Sequence, residues 1–273
     1  MDVRQYNRKS WDRQVEKRNV WTRPADAAAI AAARKGEWSI MLSPTKPVPR
    51  GWFPPDLTRR RVLCLACGGG QQGPILAAAG AAVTVLDNSP KQLEQDEYVA
   101  RREGLAINTE LGDMRDLSRF DDSSFDLIVH QSNAFVESAL PVWKEAARVL
   151  PLGGLLLSGL SNPVAYVFDL KSWNEGRLVV RHSIPYSDVA DLPEGELQSL
   201  ILDHDEPICF GHSLHDLIQG QIDAGLVIAG FYEDKEGEGP LDAYIDSFMV
   251  TKAIRIDALT LQNTAGRPDA ATG

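Results

Sequence analysis

Basic residues are in the minority. The 28 Lys and Arg stand against 38 Asp and Glu, a formal charge of −10. A phosphate backbone would be repelled, and no cluster of Lys and Arg is dense enough to make a local exception, so nucleic acid is not expected as a substrate. The basic stretch Arg4–Arg23 is interleaved with Asp12, Glu16 and three aromatics and reads as a solvated helix face. Cysteine is also scarce: three cannot form a complete disulfide set, and the opening MDVRQYNRKSW has no apolar stretch of signal-peptide type. The expectation is a reducing cytoplasm. Long hydrophobic runs are missing as well, since those around Leu76–Leu86 and Leu155–Leu157 are too short or too broken by glycine to span a bilayer.

What is present is ordinary globular material, 273 residues with 44% hydrophobic and 24% charged side chains, enough for one large core with attachments. Four of the six tryptophans, Trp11, Trp21, Trp38 and Trp52, fall in residues 1–53, which read as an aromatic helical cap with helices near Arg8–Val20 and Ala25–Lys35. The proline-rich segment Ser43–Pro55 is a connecting loop, because prolines lack donors and fix their own φ. A main domain follows over 54–256, and Asp257–Gly273 reads as a disordered polar tail.

From Arg61 short apolar strands alternate with helices, the pattern of a parallel sheet with crossover helices. Strands are expected at Val62–Ala66, Ala82–Leu86, Ile107–Leu111, Phe125–Val129 and Gly154–Ser158. Helices are expected at Pro74–Ala79, from Ser89-Pro90 to Glu103 with Gly104 ending it, and at Pro141–Leu150. The rhythm then breaks over 161–212, a substrate-side insertion in which Arg177–Ile184 alternates like an exposed strand. A helix at Ser213–Ala224 and strands at Leu226–Tyr232 and Tyr244–Ile254 close the domain.

The chemistry-bearing motif is Cys67-Gly-Gly-Gly-Gln-Gln-Gly73 between the first strand and first crossover helix. Glycines there let backbone approach a ligand, and the helix start offers free amides. Gly68, Gly70 and Gly73 fit GxGxxG, and Asp87 ends the second strand, where a carboxylate accepts both hydroxyls of a ribose. This pair alone suits a dinucleotide equally well, so an NAD(P)-dependent oxidoreductase is one reading. It requires a further parallel strand where an antiparallel pair is expected.

Downstream, Gly112-Asp113-Met114-Arg115-Asp116-Leu117, Phe125-Asp126-Leu127-Ile128-Val129-His130 and Arg148-Val-Leu-Pro-Leu-Gly-Gly154 resemble the class I S-adenosylmethionine (SAM)-dependent methyltransferase family over roughly residues 55–160. The resemblance implies a Rossmann-like, seven-stranded, mostly parallel α/β sheet with an antiparallel last strand. It also implies SAM as cofactor and a small-molecule methyl acceptor with an oxygen, nitrogen or carbon nucleophile. Asp87 then holds the ribose, and Asp113-Met114 the adenine. Where the family usually has an acid and a Gly, this chain has Cys64 and Ala66. The methionine end is accordingly assigned to backbone carbonyls near Ala66 and His130 and to the Gln71 and Gln72 side chains, with Cys67, Gly68, Gly70, Asn88 and Gln92 as further cofactor-binding candidates. A SAM-binding protein without transferase activity is the other alternative.

Methyl transfer needs positioning above all, and a general base where the acceptor is a hydroxyl or carbon acid. His130 and Asn133, after the fourth strand, are the leading candidates, with His182, Tyr186 and Tyr166 as possible acceptor-pocket residues. Tyr6, Trp11, Trp21 and Trp38 are candidates for an aromatic lid over the sulfonium. Cys64-x-x-Cys67 lies along a strand, where positions three apart face opposite sides, and His204, His212 and His215 are separated by Pro207 and Gly211. No metal site is expected from either group.

Overall fold

The computed structural model describes residues 1–257. Apart from Asp257, the tail expected at 257–273 lies outside the described residues. The leucine- and valine-rich runs form β1 (Arg61–Leu65), β2 (Ala82–Asp87), β3 (Ile107–Leu111), β4 (Leu127–Gln131) and β5 (Leu155–Ser161). Two-residue strands β6 (Tyr186–Ser187) and β7 (Phe210–Gly211) pair with each other, and β8 (Leu226–Asp234) and β9 (Phe248–Arg255) rejoin the main sheet. Its order is β3-β2-β1-β4-β5-β9-β8. The first five strands pair parallel, whereas β9 runs antiparallel to both β5 and β8. The further parallel strand that an oxidoreductase required is therefore absent from the described sheet, and the expected antiparallel pair takes its place. Strand order reverses between β1 and β4, the place where open α/β sheets bind ligands beyond their carboxyl ends.

Side-chain alternation divides the core in two. Leu63 and Leu65 of β1 and Ile128 of β4 face one layer with α5 (Leu140–Val149), while Val62, Cys64, Leu127 and Val129 face the other with α3 (Gln72–Ala78). Trp143 of α5 is fully buried, its indole Nε1 donating to the Asp216 carbonyl at 2.9 Å. Helix α4 (Pro90–Glu103) begins and ends where its chemistry dictates: Ser89 accepts from the Gln92 amide, and Gly104 takes a left-handed φ of 65°.

Three expectations need correction. The first helix, α1, is Val3–Glu16, capped by Asp2 rather than starting at Arg8; α2 follows at Ala27–Arg34. The alternating run Arg177–Ile184 is not a strand, because its sole pairing is one bridge from Val180 to Phe168. The insertion is built chiefly of short helices, α6 (Leu170–Asn174), α7 (Asp188–Asp191) and α8 (Glu194–Leu200), and a π turn over His215–Gln219 precedes α9 (Gly220–Asp223). Finally, β4 extends to Gln131, so His130 lies in the sheet, paired in register with Leu65 and Ser158.

The N-terminal segment crosses the main sheet at Gly159 of β5, where a Cβ would run into the Leu42 carbonyl. Because that neighbour is backbone, it cannot rotate away. Gly159→Ala is expected to cost roughly 1–3 kcal/mol, the scale of an overpacked core. A urea midpoint equal to that of the unaltered protein would refute this crossing.

Candidate active site

The carboxyl ends of β1 and β4 open onto a cavity of about 290 Å³. Two non-glycine residues turn the chain there with left-handed backbones, Ala66 (φ 52°) and Ser132 (φ 55°), and both line the cavity. Such conformations are costly for residues with a Cβ and persist only where surrounding structure enforces them.

The glycine loop is held by two carboxylates. Gly68 N–H donates to Asp87 Oδ2 at 2.9 Å, and Gly69 and Gly70 N–H both donate to Asp96 Oδ2 at 3.1 Å. Ser89 N–H donates to the other Asp87 oxygen at 2.9 Å. Burial pushes the Asp87 carboxyl above the usual range, with these amide donors opposing it, and pushes Asp96 well above it. A Cβ on Gly68 would stand 2.6 Å from Gln92 Cβ and 2.9 Å from Asp87 Oδ2, so only glycine fits. Sequence reasoning missed Asp96. Its signal was the spacing i, i+4 from Gln92, which puts both on one buried face of α4.

Helix α1 forms a side wall through Arg4, Asn7 and Trp11, spaced three and four apart and thus on one helical face. Trp11 stands edge-on to Phe135 at 5.1 Å. Asn7 bridges to the insertion, accepting from Ile208 N–H at 2.8 Å and donating to the Ile208 and Phe135 carbonyls. Asp12 accepts from Ser89 Oγ at 2.6 Å and from Lys91 N–H, so α1 is tied to the start of α4. Asn88 is engaged in the same seam, donating to the Arg4 carbonyl and accepting from Arg4 and Arg8.

On the next side, Met114 and Asp113 follow β3. Arg115 grips Asp113 with its guanidinium and its backbone amide, 2.7 Å at the closest, and also pairs with Glu137; Arg4 approaches Asp113 to 3.5 Å. Burial raises the Asp113 pKa, yet the Arg115 hydrogen bonds and the Arg115 and Arg4 charges outweigh it and hold the carboxyl below its usual range. The far wall consists of Tyr166, Ser161, Phe248 and Glu236, with Met41, Ser43 and Pro44 from the N-terminal segment. Ser161 and Phe248 are register partners at the end of β5 and start of β9. Tyr166 is fixed between Tyr186, stacked at 5.9 Å and 25°, and Gly211, where a Cβ would meet its ring at 2.8 Å.

Among the sequence candidates, Ala66, Cys67, Gly68, Gln72, Asp87, Asn88, Gln92, Asp113, Met114 and Trp11 line this cavity, as do Gln71, Trp21 and Tyr166. Several others do not. His130 is fully buried in β4, its Nδ1 2.8 Å from Ser158 Oγ and its ring 5.6 Å from Trp143. The parity of β4 sends it into the core beside Ile128, and its ring does not line the cavity. Asn133 is 1% exposed, and its carbonyl is engaged by His212 Nε2 at 2.9 Å. Gly70 faces the cap, accepting from Ala25 N–H. Tyr186 donates to Asp188 at 2.9 Å and, with His182 4.8 Å from its ring, stands behind Tyr166. Tyr6 donates to the Glu206 carbonyl outside the cavity, and Trp38 packs on Phe53. The glutamines serve the cap as well: Gln72 Nε2 holds the Met41 carbonyl, and Gln71 Nε2 holds those of Val20 and Arg23. Cys64 and Cys67 are buried thiols whose pKa burial pushes up. Among the described residues, no group of three or more His, Cys, Asp or Glu is placed to hold a metal ion, and no helix is long and apolar enough to cross a membrane.

A family profile described as a methyltransferase domain matches residues 63–158. The Bacillus subtilis protein described as uncharacterized methyltransferase YbaJ is 54% identical over 252 residues, covering 92% of this chain and 98% of its own length. Among solved structures, an S-adenosylmethionine-dependent methyltransferase from Mesorhizobium loti superposes with a TM-score of 0.58 at 20% identity, covering 76% of this chain and 95% of that one. A putative S-adenosylmethionine-dependent methyltransferase from Listeria monocytogenes gives 0.54 at 18% identity, covering 85% and 100%. At these identities the two structures show a shared fold.

Burial of His130 lowers its pKa from 6.5 to about 3, against the neighbouring Asn133 side chain. The unfolded chain therefore takes up the proton first as pH falls, and the stability owed to this ring is present above pH 6.5 and lost on the way down to about 3. The His130 ring proton resonance is expected to stay flat from pH 8 to pH 5; titration near 6.5 would show the ring to be solvated.

Proposed function

The chain belongs to the class I S-adenosylmethionine-dependent methyltransferases, and on that premise we propose that it methylates a small-molecule acceptor held between the glycine loop and the aromatic wall of the insertion. The observation that carries this reading is continuity: one cavity reaches from Asp87 to Tyr166 and Phe248.

The residues present fit the cofactor. Asp87 Oδ2 accepts from the Gly68 amide and Oδ1 from that of Ser89, with the Asn88 amide also close; a carboxylate has about four lone-pair sites, so acceptor capacity remains for a ribose diol. Gln92 Oε1 is buried without a partner beside the Gly68 cradle, and is a further acceptor for the same sugar. Met114 and Leu86 offer apolar surface for the adenine, with Asp113 at its edge. Gln131 and Ser132, together with the turned backbone at Ala66, are assigned to the methionine end. When bound, the cofactor supplies a methyl group on a sulfonium sulfur, which a nucleophile displaces in line.

The chain's own part is positioning and exclusion of water. Trp11, Phe135, Tyr166 and Phe248 surround the space beside the loop, and aromatic faces attract a sulfonium while keeping solvent out. No histidine lines the cavity, so an acceptor that must lose a proton would give it to a carboxylate or to water. The acceptor atom is left as oxygen, nitrogen or carbon. Cytoplasmic location is proposed on the scarcity of cysteine, and the lack of a nucleic-acid partner on the acidic charge.

Titration with S-adenosylhomocysteine and with NADH tests the reading. Binding of the former and not the latter is expected, and the reverse would overturn it. Asp87→Ala is expected to retain the fold while losing tenfold or more of S-adenosylhomocysteine affinity, about 1.4 kcal/mol or greater. Undiminished affinity would mean the ribose lies elsewhere.

A further inference from the structure

A second, smaller cavity of about 200 Å³ adjoins the first and shares Ser161, Tyr166, Glu236 and Phe248 with it. Its remaining walls come mostly from the insertion: Ala165, Phe168, Leu170 and Trp173, with Ser247 from the segment before β9. A dry protein cavity of roughly 150 Å³ is enough for a benzene ring. The side chamber therefore has room for one ring with a short chain attached.

Its electrical character is one-sided. Among the described residues no Lys, Arg or His lines the chamber, and Glu236 is the one carboxylate there. Glu236 makes no ion pair among them; it remains solvent-exposed on one side, its backbone N–H donates to Asp242 Oδ1, and partial desolvation together with the Asp242 charge pushes its carboxyl pKa up. That carboxylate lacks a cation. The rings of Phe168 and Trp173, 6.0 Å apart and tilted at 43°, and that of Tyr166 present further negative π surface. An anion would meet repulsion with nothing to compensate it, whereas a cation meets both a carboxylate and aromatic faces.

Resting on the methyltransferase reading above, we infer that the side chamber is the acceptor subsite and that it selects a small, ring-sized organic cation, such as an arylalkylamine protonated at neutral pH, whose charge is held by Glu236. Glu236 is a specificity residue in this scheme: it binds the resting cationic group, and the nucleophilic atom is another part of the acceptor that passes the Tyr166–Phe248 neck. The rigid seating of Tyr166 between Gly211 and Tyr186 gives the neck a fixed shape.

Three probes on one phenylethyl skeleton separate charge from shape: phenethylamine, 2-phenylethanol and 3-phenylpropionate, each titrated calorimetrically into the full chain saturated with S-adenosylhomocysteine. Phenethylamine is expected to bind about tenfold more tightly than the alcohol, the scale of one partly desolvated ion pair. The carboxylate is expected not to bind. Glu236→Gln should bring phenethylamine down to the level of the alcohol while the alcohol is unchanged. Equal affinity for amine and alcohol, preference for the carboxylate, failure of all three to bind, or an amine preference that survives Glu236→Gln would overturn the inference. The comparison within the unaltered protein needs no variant to fold. Failure of S-adenosylhomocysteine to bind in the first step would instead sink the cofactor reading, so the two failures are told apart.

Discussion

The amides of Gly68, Gly69 and Gly70 end on two carboxylates, Asp87 and Asp96, and the rest of the site is arranged around that turn. Loop amides left in a partly dry cleft would be costly. Buried carboxylates without donors would be costlier still. Each satisfies the other, and the shared geometry fixes where β1 hands over to α3. Asp87 also takes the Ser89 amide, and Ser89 both caps α4 and donates to Asp12 of α1. The phosphate-free use of a glycine turn here is therefore a local charge arrangement as much as a backbone shape.

Much of this was legible in the sequence where local chemistry decides the outcome. Strand β3 and helix α4 lie where they were expected, α4 because Ser89-Pro90 and Gly104 punctuate it unambiguously. The alternation up to β5 marked a parallel sheet and two late apolar runs marked β8 and β9, while the seven strands and the antiparallel last one were what the family resemblance implied. What local pattern leaves undetermined is where a strand ends. Ending β4 two residues early left His130 in a loop, whereas the strand runs to Gln131 and holds that ring on the buried face shared with Ile128. The alternation in Arg177–Ile184 misled for a related reason: a strand needs a partner, and the chain supplies only one bridge.

The site shows the same division. Asp87 and the glycines could be located from motif spacing and Asp113-Met114 from the family resemblance; Asp87, Asp113, Met114 and Gly68 line the cavity, whereas Gly70 and Gly73 do not. Glu236 and Phe248 could not be found so. They reach the site because β9 returns antiparallel beside β5 and sets Phe248 opposite Ser161, a relation of positions 87 apart in sequence. The roles of Gln71 and Gln72 likewise depend on carbonyls of the cap, at Val20, Arg23 and Met41, that no local rule brings near.

The bonds between Asn7 and Ile208 join residues 201 positions apart. A helix made early thus waits for a partner made some two hundred residues later. The sheet can assemble in that interval, because its first five strands pair among themselves without α1. The wall carrying Arg4, Asn7 and Trp11 can be pinned only once Ile208 exists, so the binding chamber cannot be complete before the sheet's first five strands are made.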